Sequence, residues 1–273
     1  MPPHSRRNLI HLVLSGDKEC RLQQRVLTEH LSLQIQQRNS EHPVKPLENQ
    51  LIEALPDSDR LRLLAACEPF EMVFADRLSD PGHAAAHAYF PTDGFVSLVV
   101  RIDGKDDVAV GMVGREGMLG AQLALGVITP PVHALVQGPG QAWRISSKAF
   151  SAELAQSAAL QREINRYLYV LMVQLAESSA CLRFHLIGPR LARWLLMSQD
   201  RSHSNSFAVT QQFLAHMLGV RRVGVTTAAG IFQNKGLIAY QRGKMTVLDR
   251  SGLEAAACSC FAADQDAYSK TLG

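Results

Sequence analysis

Between Phe70 and Ile145, short β-branched runs such as "FVSLVVRI" and "DVAVGMV" are cut about every eight to twelve residues by turn signals: "SDPG", "PTDG", "IDGKDD", "GREG", "TPP" and "GPG". Strands of that length and spacing predict a sandwich or barrel. "FVSLVVRIDGKDDVAVGMV" reads as a hairpin, with Asp103-Gly104 at the positive-φ positions of a tight turn. Ahead of this region, "LENQLIEAL" from Leu47 and "DSDRLRLLAAC" predict two short amphipathic helices, the second with Asp57 as N-cap after Pro56. Their apolar faces need a cover from downstream.

After Trp143 the period becomes helical. "SSKAFSAELAQSAALQREINRYLYVLMVQLAESSACLRFHLI" contains neither proline nor glycine, and apolar residues recur at Leu160, Ile164, Tyr167, Leu168, Leu171, Val173 and Leu175. Even twenty-five helical residues, at about 1.5 Å each, reach about 37 Å. Two readings fit such a helix. It pairs with its copy in a homodimer through Leu160, Ile164, Tyr167, Leu168, Leu171 and Leu175, or it covers the β domain. Gly188-Pro189 then interrupts the pattern, and "PRLARWLLMSQDR" resumes as a second helix with Pro189 in a first-turn position.

The stretch "TQQFLAHMLGVRRVGVTTAAGIF" breaks its helical period at one glycine. With Gln211 as the first helical residue, Leu214 and Leu218 face inward and Ala215 stands where a crossing helix must approach closely. Gly219 suits the left-handed turn between the helices, and Val220, Val225, Ala228, Ala229 and Phe232 supply the second inner face. These offsets are those of a helix-turn-helix, whose second helix enters the major groove by its N-terminal end. Arg221 and Arg222 lie at that end, where an arginine can donate two hydrogen bonds to guanine; solvated surface charge is the alternative for both. Thr226 and Thr227, one turn on, can meet phosphate or a thymine methyl. "NKGLIAYQRGKMTVLDRSGL" adds a helix end at Lys235-Gly236 and a hairpin whose tip carries Arg242 and Lys244, completing a winged helix.

These periods divide the chain into a poorly ordered arm over 1–45, a β domain with flanking helices over 46–150, a long helix over 151–187, a winged helix-turn-helix over 188–260 and a tail over 261–273. The 273 residues, 47 % apolar, supply about two domains with real cores. No apolar run approaches the ~18–20 residues of a membrane span, and Asp17, Lys18 and Glu19 stand where a signal peptide would need small residues. Five scattered cysteines, Cys20, Cys67, Cys181, Cys258 and Cys260, read as reduced thiols of a cytoplasmic protein, the last pair on different faces of a helix. The net charge of +3 is small, but six basic residues stand against one acid from Gly219 to Arg250, as phosphate attraction requires.

The arrangement resembles the Crp/Fnr (cyclic AMP receptor protein and fumarate/nitrate regulator) family of bacterial transcription regulators, over about Leu47 to Cys260. The segments that carry it are "FLAHMLGVRRVGVTTAAGIFQNKGLI", "YFPTDGFVSLV" and "VGREGMLG". The resemblance implies an α+β fold: an N-terminal double-stranded β-roll like a cyclic-nucleotide-binding domain, a long dimerisation helix and a C-terminal winged helix-turn-helix. It further implies a homodimer on a roughly palindromic DNA operator, with RNA polymerase as a further partner. The base-reading set is then Arg221, Arg222, Val223, Thr226 and Thr227, with Gln211, Gln212, Arg242 and Lys244 on phosphate. Val223 stands where many relatives present glutamate, and Thr227 where they present a second arginine, so the operator should differ from theirs.

The effector pocket also departs from the family. Gly120 matches the glycine of the Gly-Glu pair that holds the ribose, but Ala121 replaces the glutamate, and the phosphate-binding pair falls near Pro130-Pro131. Cyclic AMP should therefore not bind in the usual way, and an unknown small-molecule effector is left open. No cofactor is expected. Cys20 alone cannot hold an N-terminal iron–sulfur cluster, and His83 and His87 of "HAAAH" sit among strands where they would not form a helical metal pair. No nucleophile elbow or Walker loop is present, so no enzyme activity is expected. A winged helix that docks a protein in place of DNA is the alternative function.

Overall fold

Strand pairing divides the roll into two sheets, both antiparallel. The computed structural model describes residues 48–101 and 108–273. The arm over 1–45, the helix start at Leu47 and the Asp103-Gly104 turn lie outside these. One sheet has the order β1 (Glu68–Met72), β7 (Gly140–Ser146), β3 (His87–Pro91); the other has β2 (Arg77–Ser79), β6 (His133–Gly138), β4 (Phe95–Val100), β5 (Val108–Val113). The two strands of the predicted hairpin pair antiparallel, with Val96 opposite Val113 and Val100 opposite Val108. Met72, Tyr89, Val96, Leu98, Val136 and Ala142 fill the space within the roll.

On β3 the pleat sends Tyr89 into that core and Ala88 and Phe90 to the opposite side. There they meet Leu51 and Ile52 of α1 (Gln50–Glu53) and Leu63 of α2 (Asp57–Ala65). Asn49 caps α1, accepting from the Leu51 and Ile52 amides, while its Nδ2 donates to the Pro91 and Gly117 carbonyls. The cap expected at Asp57 is displaced by one residue. Pro56 holds the N-cap position, with no side-chain bond, and Asp57 is the first helical residue, accepting from Arg60 at 2.8 Å.

The long proline-free helix is broken. α3 (Ser147–Gln156) ends at Ser157, whose hydroxyl accepts from the Leu160 amide at 3.0 Å and starts α4 (Ala158–Phe184). A serine cap interrupts the helix where neither glycine nor proline does, and the expected boundary at 150/151 falls inside α3. The 27 residues of α4 span about 40 Å. Leu160, Ile164 and Tyr167 are fully buried against the helix side of the roll, with Leu168 and Leu171 packed beside the two cores. The covering reading thus accounts for these positions within one chain, while Leu175 is half-buried. The large apolar side chains that α4 leaves exposed are instead Tyr169, 58 %, and Met172, 67 %, with Leu182 and Phe184 at its C-terminal end.

The C-terminal part packs α5 (Ile187–Ser202) against α6 (Gln211–Met217), α7 (Arg222–Asn234) and α8 (Arg250–Ala256), with a small sheet in the order β8 (Ser206–Ala208), β10 (Lys244–Val247), β9 (Ile238–Gln241). Residues 261–273 are not a tail. They belong to α9 (Cys260–Leu272), which lies along α4 and brings Tyr268 and Leu272 to the helix-side core. Three arginines of α5 are buried, and each has a distant partner. Arg190 donates to the Leu218 carbonyl, Arg193 pairs with Asp264 of α9 at 2.5 Å, and Arg201 pairs with Glu116 of the roll at 2.8 Å.

Candidate nucleic-acid interface

Thr210 starts α6, its hydroxyl accepting from the Phe213 amide at 3.1 Å. Gln211 is the first helical residue, as the pattern predicts, and Leu214, Ala215 and Leu218 are buried. Gly219 takes φ +60, the left-handed value that closes the helix; its amide donates to His216 O and the Val220 amide to Ala215 O. The Arg190 guanidinium holds the carbonyl of Leu218 from below, so the turn is fixed by a residue of the preceding helix. Arg221 is the N-cap of α7 and Arg222 its first residue; Val225, Ala228, Ala229 and Phe232 face the core.

The opposite face of α7 is open. Arg221, Arg222, Val223, Thr226 and Thr227 are all exposed, and Val223 shows 71 % of its surface. Neither arginine forms an ion pair among the described residues. Two unpaired cations at a helix N-terminus, next to an exposed valine, favour an anionic partner carrying apolar groups. The threonines are more committed than their type suggests. Thr227 Oγ1 donates to the Val223 carbonyl at 3.0 Å, and Thr226 Oγ1 shares its proton between Gln211 Oε1 at 2.7 Å and Arg222 O at 3.1 Å. A hydroxyl has one proton, so neither has a donor left for phosphate; their methyl groups remain available.

Gln212 is exposed, with Nε2 2.6 Å from His216 Nε2. Tyr240 of β9 was not singled out by any sequence signal. Its hydroxyl accepts from the Gln211 amide, and burial pushes its pKa up while Gln211 and Arg222 pull it down. It therefore stands between the start of α6 and the start of α7. The hairpin tip is a two-residue turn in which Arg242 and Gly243 have φ +48 and +78, between Gln241 and Lys244, which pair. The Val209 amide donates to the Gly243 carbonyl at 2.8 Å and pins this tip to the body. Arg242 and Lys244 are exposed and, like the arginines of α7, form no ion pair among the described residues. Residues 189–256 match the family of Crp-like helix-turn-helix domains.

The whole fold has counterparts among solved structures. The c-di-GMP-responsive global regulator CLP of Xanthomonas campestris is 19 % identical over 70 % of this chain and 99 % of its own, with a TM-score of 0.57. FixK2 of Bradyrhizobium japonicum is 11 % identical over 71 % of this chain and 98 % of its own, at 0.60. A CRP-family transcriptional regulator of Thermus thermophilus is 19 % identical over 70 % and 96 %, at 0.57. At such identities the likeness is one of fold. No curated protein sequence matches the chain. The β-roll, long helix and C-terminal helices are thus arranged as in the CRP-family regulator of Thermus thermophilus.

At the roll, Gly120 has φ +93 and backs onto Ala88; a Cβ there would stand 3.2 Å from Ala88 Cα. Ala121 is buried at the start of a 3₁₀ turn, Pro130 is buried and Pro131 exposed. An open cleft of about 630 Å³ lies elsewhere, between α1, α5 and α9, with Arg115, Glu116, Arg201 and Asp264 among its walls; Gly120, Ala121, Pro130 and Pro131 do not line it. His87 opens β3 while His83 lies in the preceding turn, so "HAAAH" is not a helical pair. Burial, then Arg144, push the His87 imidazole below its usual range. Among the described residues, no helix is long and apolar enough to cross a membrane.

Proposed function

We propose that the chain is a sequence-specific DNA-binding transcription regulator that acts as a homodimer on a roughly palindromic operator. The observation that carries this reading is the solvent face of α7, where Arg221, Arg222, Val223, Thr226 and Thr227 stand together, with Arg242 and Lys244 at the wing tip. Arg222 reads guanine, Val223 and the threonine methyls meet thymine methyls, and the wing cations track phosphate. A two-fold dimer spaces two such helices one turn of DNA apart. The exposed Tyr169 and Met172 of α4 support a pairing face on the side of that helix turned away from the roll. RNA polymerase is the expected further partner.

Cyclic AMP does not command this regulator in the usual way, because Ala121 and Pro130-Pro131 carry no group that accepts from a ribose hydroxyl or neutralises a phosphate. Micromolar cyclic AMP binding in an equilibrium titration overturns that statement. Selection of bound sequences from a random DNA pool tests the main reading. An inverted repeat with guanine at a position that Arg222→Ala relaxes is the expected result. An asymmetric or nonspecific pool, or salt-insensitive association with a protein in place of DNA, refutes it.

A further inference from the structure

Away from the DNA-facing surface, the C-terminal end of α4 meets the link between α8 and α9 in a small sulfur-rich core. Cys181 lies on the buried stripe of α4, His185 caps that helix, Cys258 sits in the link and Cys260 opens α9. The cysteines expected on different faces of one helix therefore converge, because Cys258 lies before the helix and not in it. The Cys181 and Cys258 sulfurs are 3.5 Å apart, and the Cys260 sulfur is 3.6 Å from His185 Nδ1. All four donor atoms lie within 4.8 Å of one another; the thiols are buried and the imidazole half-buried.

Donor chemistry, geometry and surroundings agree on what such a cluster can hold. Three thiols and one imidazole form the closed Cys₃His set of structural zinc sites, and thiolates disfavour the hard cations magnesium and calcium. With Zn–S about 2.3 Å and Zn–N about 2.0 Å, a tetrahedral centre puts its sulfurs about 3.8 Å apart and sulfur about 3.5 Å from nitrogen. The Cys181–Cys258 and Cys260–His185 spacings, 3.5 and 3.6 Å, differ from these by a few tenths of an ångström at most, and the remaining pairs, all within 4.8 Å, need close by no more than about 1 Å around an ion. A disulfide needs its sulfurs at about 2.0 Å. Arg190 and Arg193 stand beside these thiols; Arg193 is paired with Asp264, which leaves the Arg190 guanidinium next to the single negative charge of zinc with three thiolates.

We propose that Cys181, His185, Cys258 and Cys260 bind one zinc ion. The ion closes a loop between residues 77 apart in sequence, tying the end of the long helix to the C-terminal edge of the Crp-like domain. Binding releases the thiol protons, so affinity rises with pH, and it stabilises the fold.

The test uses the full chain, stripped by a chelator under reducing conditions and titrated with cobalt as a spectroscopic probe. One equivalent should give the ligand-field bands of tetrahedral cobalt with thiolate charge transfer, and zinc should displace it. Cys20→Ser and Cys67→Ser should leave the spectrum intact, while Cys258→Ser and His185→Ala should each change the bands and weaken zinc binding at least about tenfold. Octahedral cobalt, an iron–sulfur spectrum on purification, bands unaltered by Cys258→Ser, or their loss in Cys67→Ser would overturn the proposal. The wild-type spectrum stands even where a variant misfolds, and far-UV circular dichroism identifies such a variant.

Discussion

Arg201 of α5 and Glu116 of the "VGREG" loop join the Crp-like domain to the β-roll through a buried ion pair, and its removal has a calculable cost. Arg201 Nε donates to Glu116 Oε1 at 2.8 Å, and the two side chains are 9 % and 16 % exposed. Arg201 Nη1 also donates to the Met197 carbonyl, and the same Glu116 oxygen accepts from the Gly114 amide at 3.0 Å. Arg201→Met keeps most of the volume but leaves a buried carboxylate without its counter-charge, which costs about 3–5 kcal/mol when one partner is lost. Because the Gly114 bond survives, the lower figure applies, about 3 kcal/mol. For a domain of this size that lowers Tm by about 6–12 °C. Replacing both residues, Arg201→Met with Glu116→Met, removes the stranded charge and should recover all but about 1–2 kcal/mol. The assay is urea unfolding followed by circular dichroism on the four members of this cycle. A single substitution costing under about 1 kcal/mol, or additive effects of the two, would refute the claim that the pair is buried and coupled.

Other outcomes follow from the reading head and its supports. Arg222→Ala should lose about 1–3 kcal/mol of discrimination at one operator position, read by fluorescence anisotropy on variant duplexes, with Tm unchanged. Arg242→Ala and Lys244→Ala should weaken all sequences equally, each reducing the slope of log affinity against log salt by about one; a slope that stays put removes the wing from the phosphate. Gly219→Ala forces a side chain into φ +60 beside Val108, and should destabilise the fold by about 1–2 kcal/mol in denaturant melts while Gly230→Ala, which meets open space, does not. Asp249 caps α8, and the Gly252 amide, then Ser251, hold its carboxyl below the usual range. Its depressed folded pKa means the cap stabilises at neutral pH and is lost as pH falls through that value. The stability gap between wild type and Asp249→Ala should therefore close on acidification; a gap independent of pH contradicts the cap.

The reading head was legible because its constraints are local. Gly219 must turn left-handed, Ala215 must be small, and the arginines fall at a helix start a few residues on, all within a window that periodicity can scan. The wing was legible for the same reason, from two residues at a hairpin tip. The break at Ser157 was not, since a serine in an apolar helical pattern acts as a cap only when the incoming helix has reason to change direction. "PRLARWLLMSQDR" reads as a second helix, yet nothing in it says that Arg193 and Arg201 are buried, because Asp264 and Glu116, 71 and 85 residues distant, are brought to them.

The sequence by itself determined the helix-turn-helix, the turn at the wing tip and the face that α7 turns outward, because side-chain period and backbone preference act over a few residues. Only the tertiary structure decided which face of α4 is already occupied, that the last residues form a helix along it, and that Cys181, His185, Cys258 and Cys260 share one site. Those outcomes depend on distances between segments far apart in the chain, which no local pattern encodes.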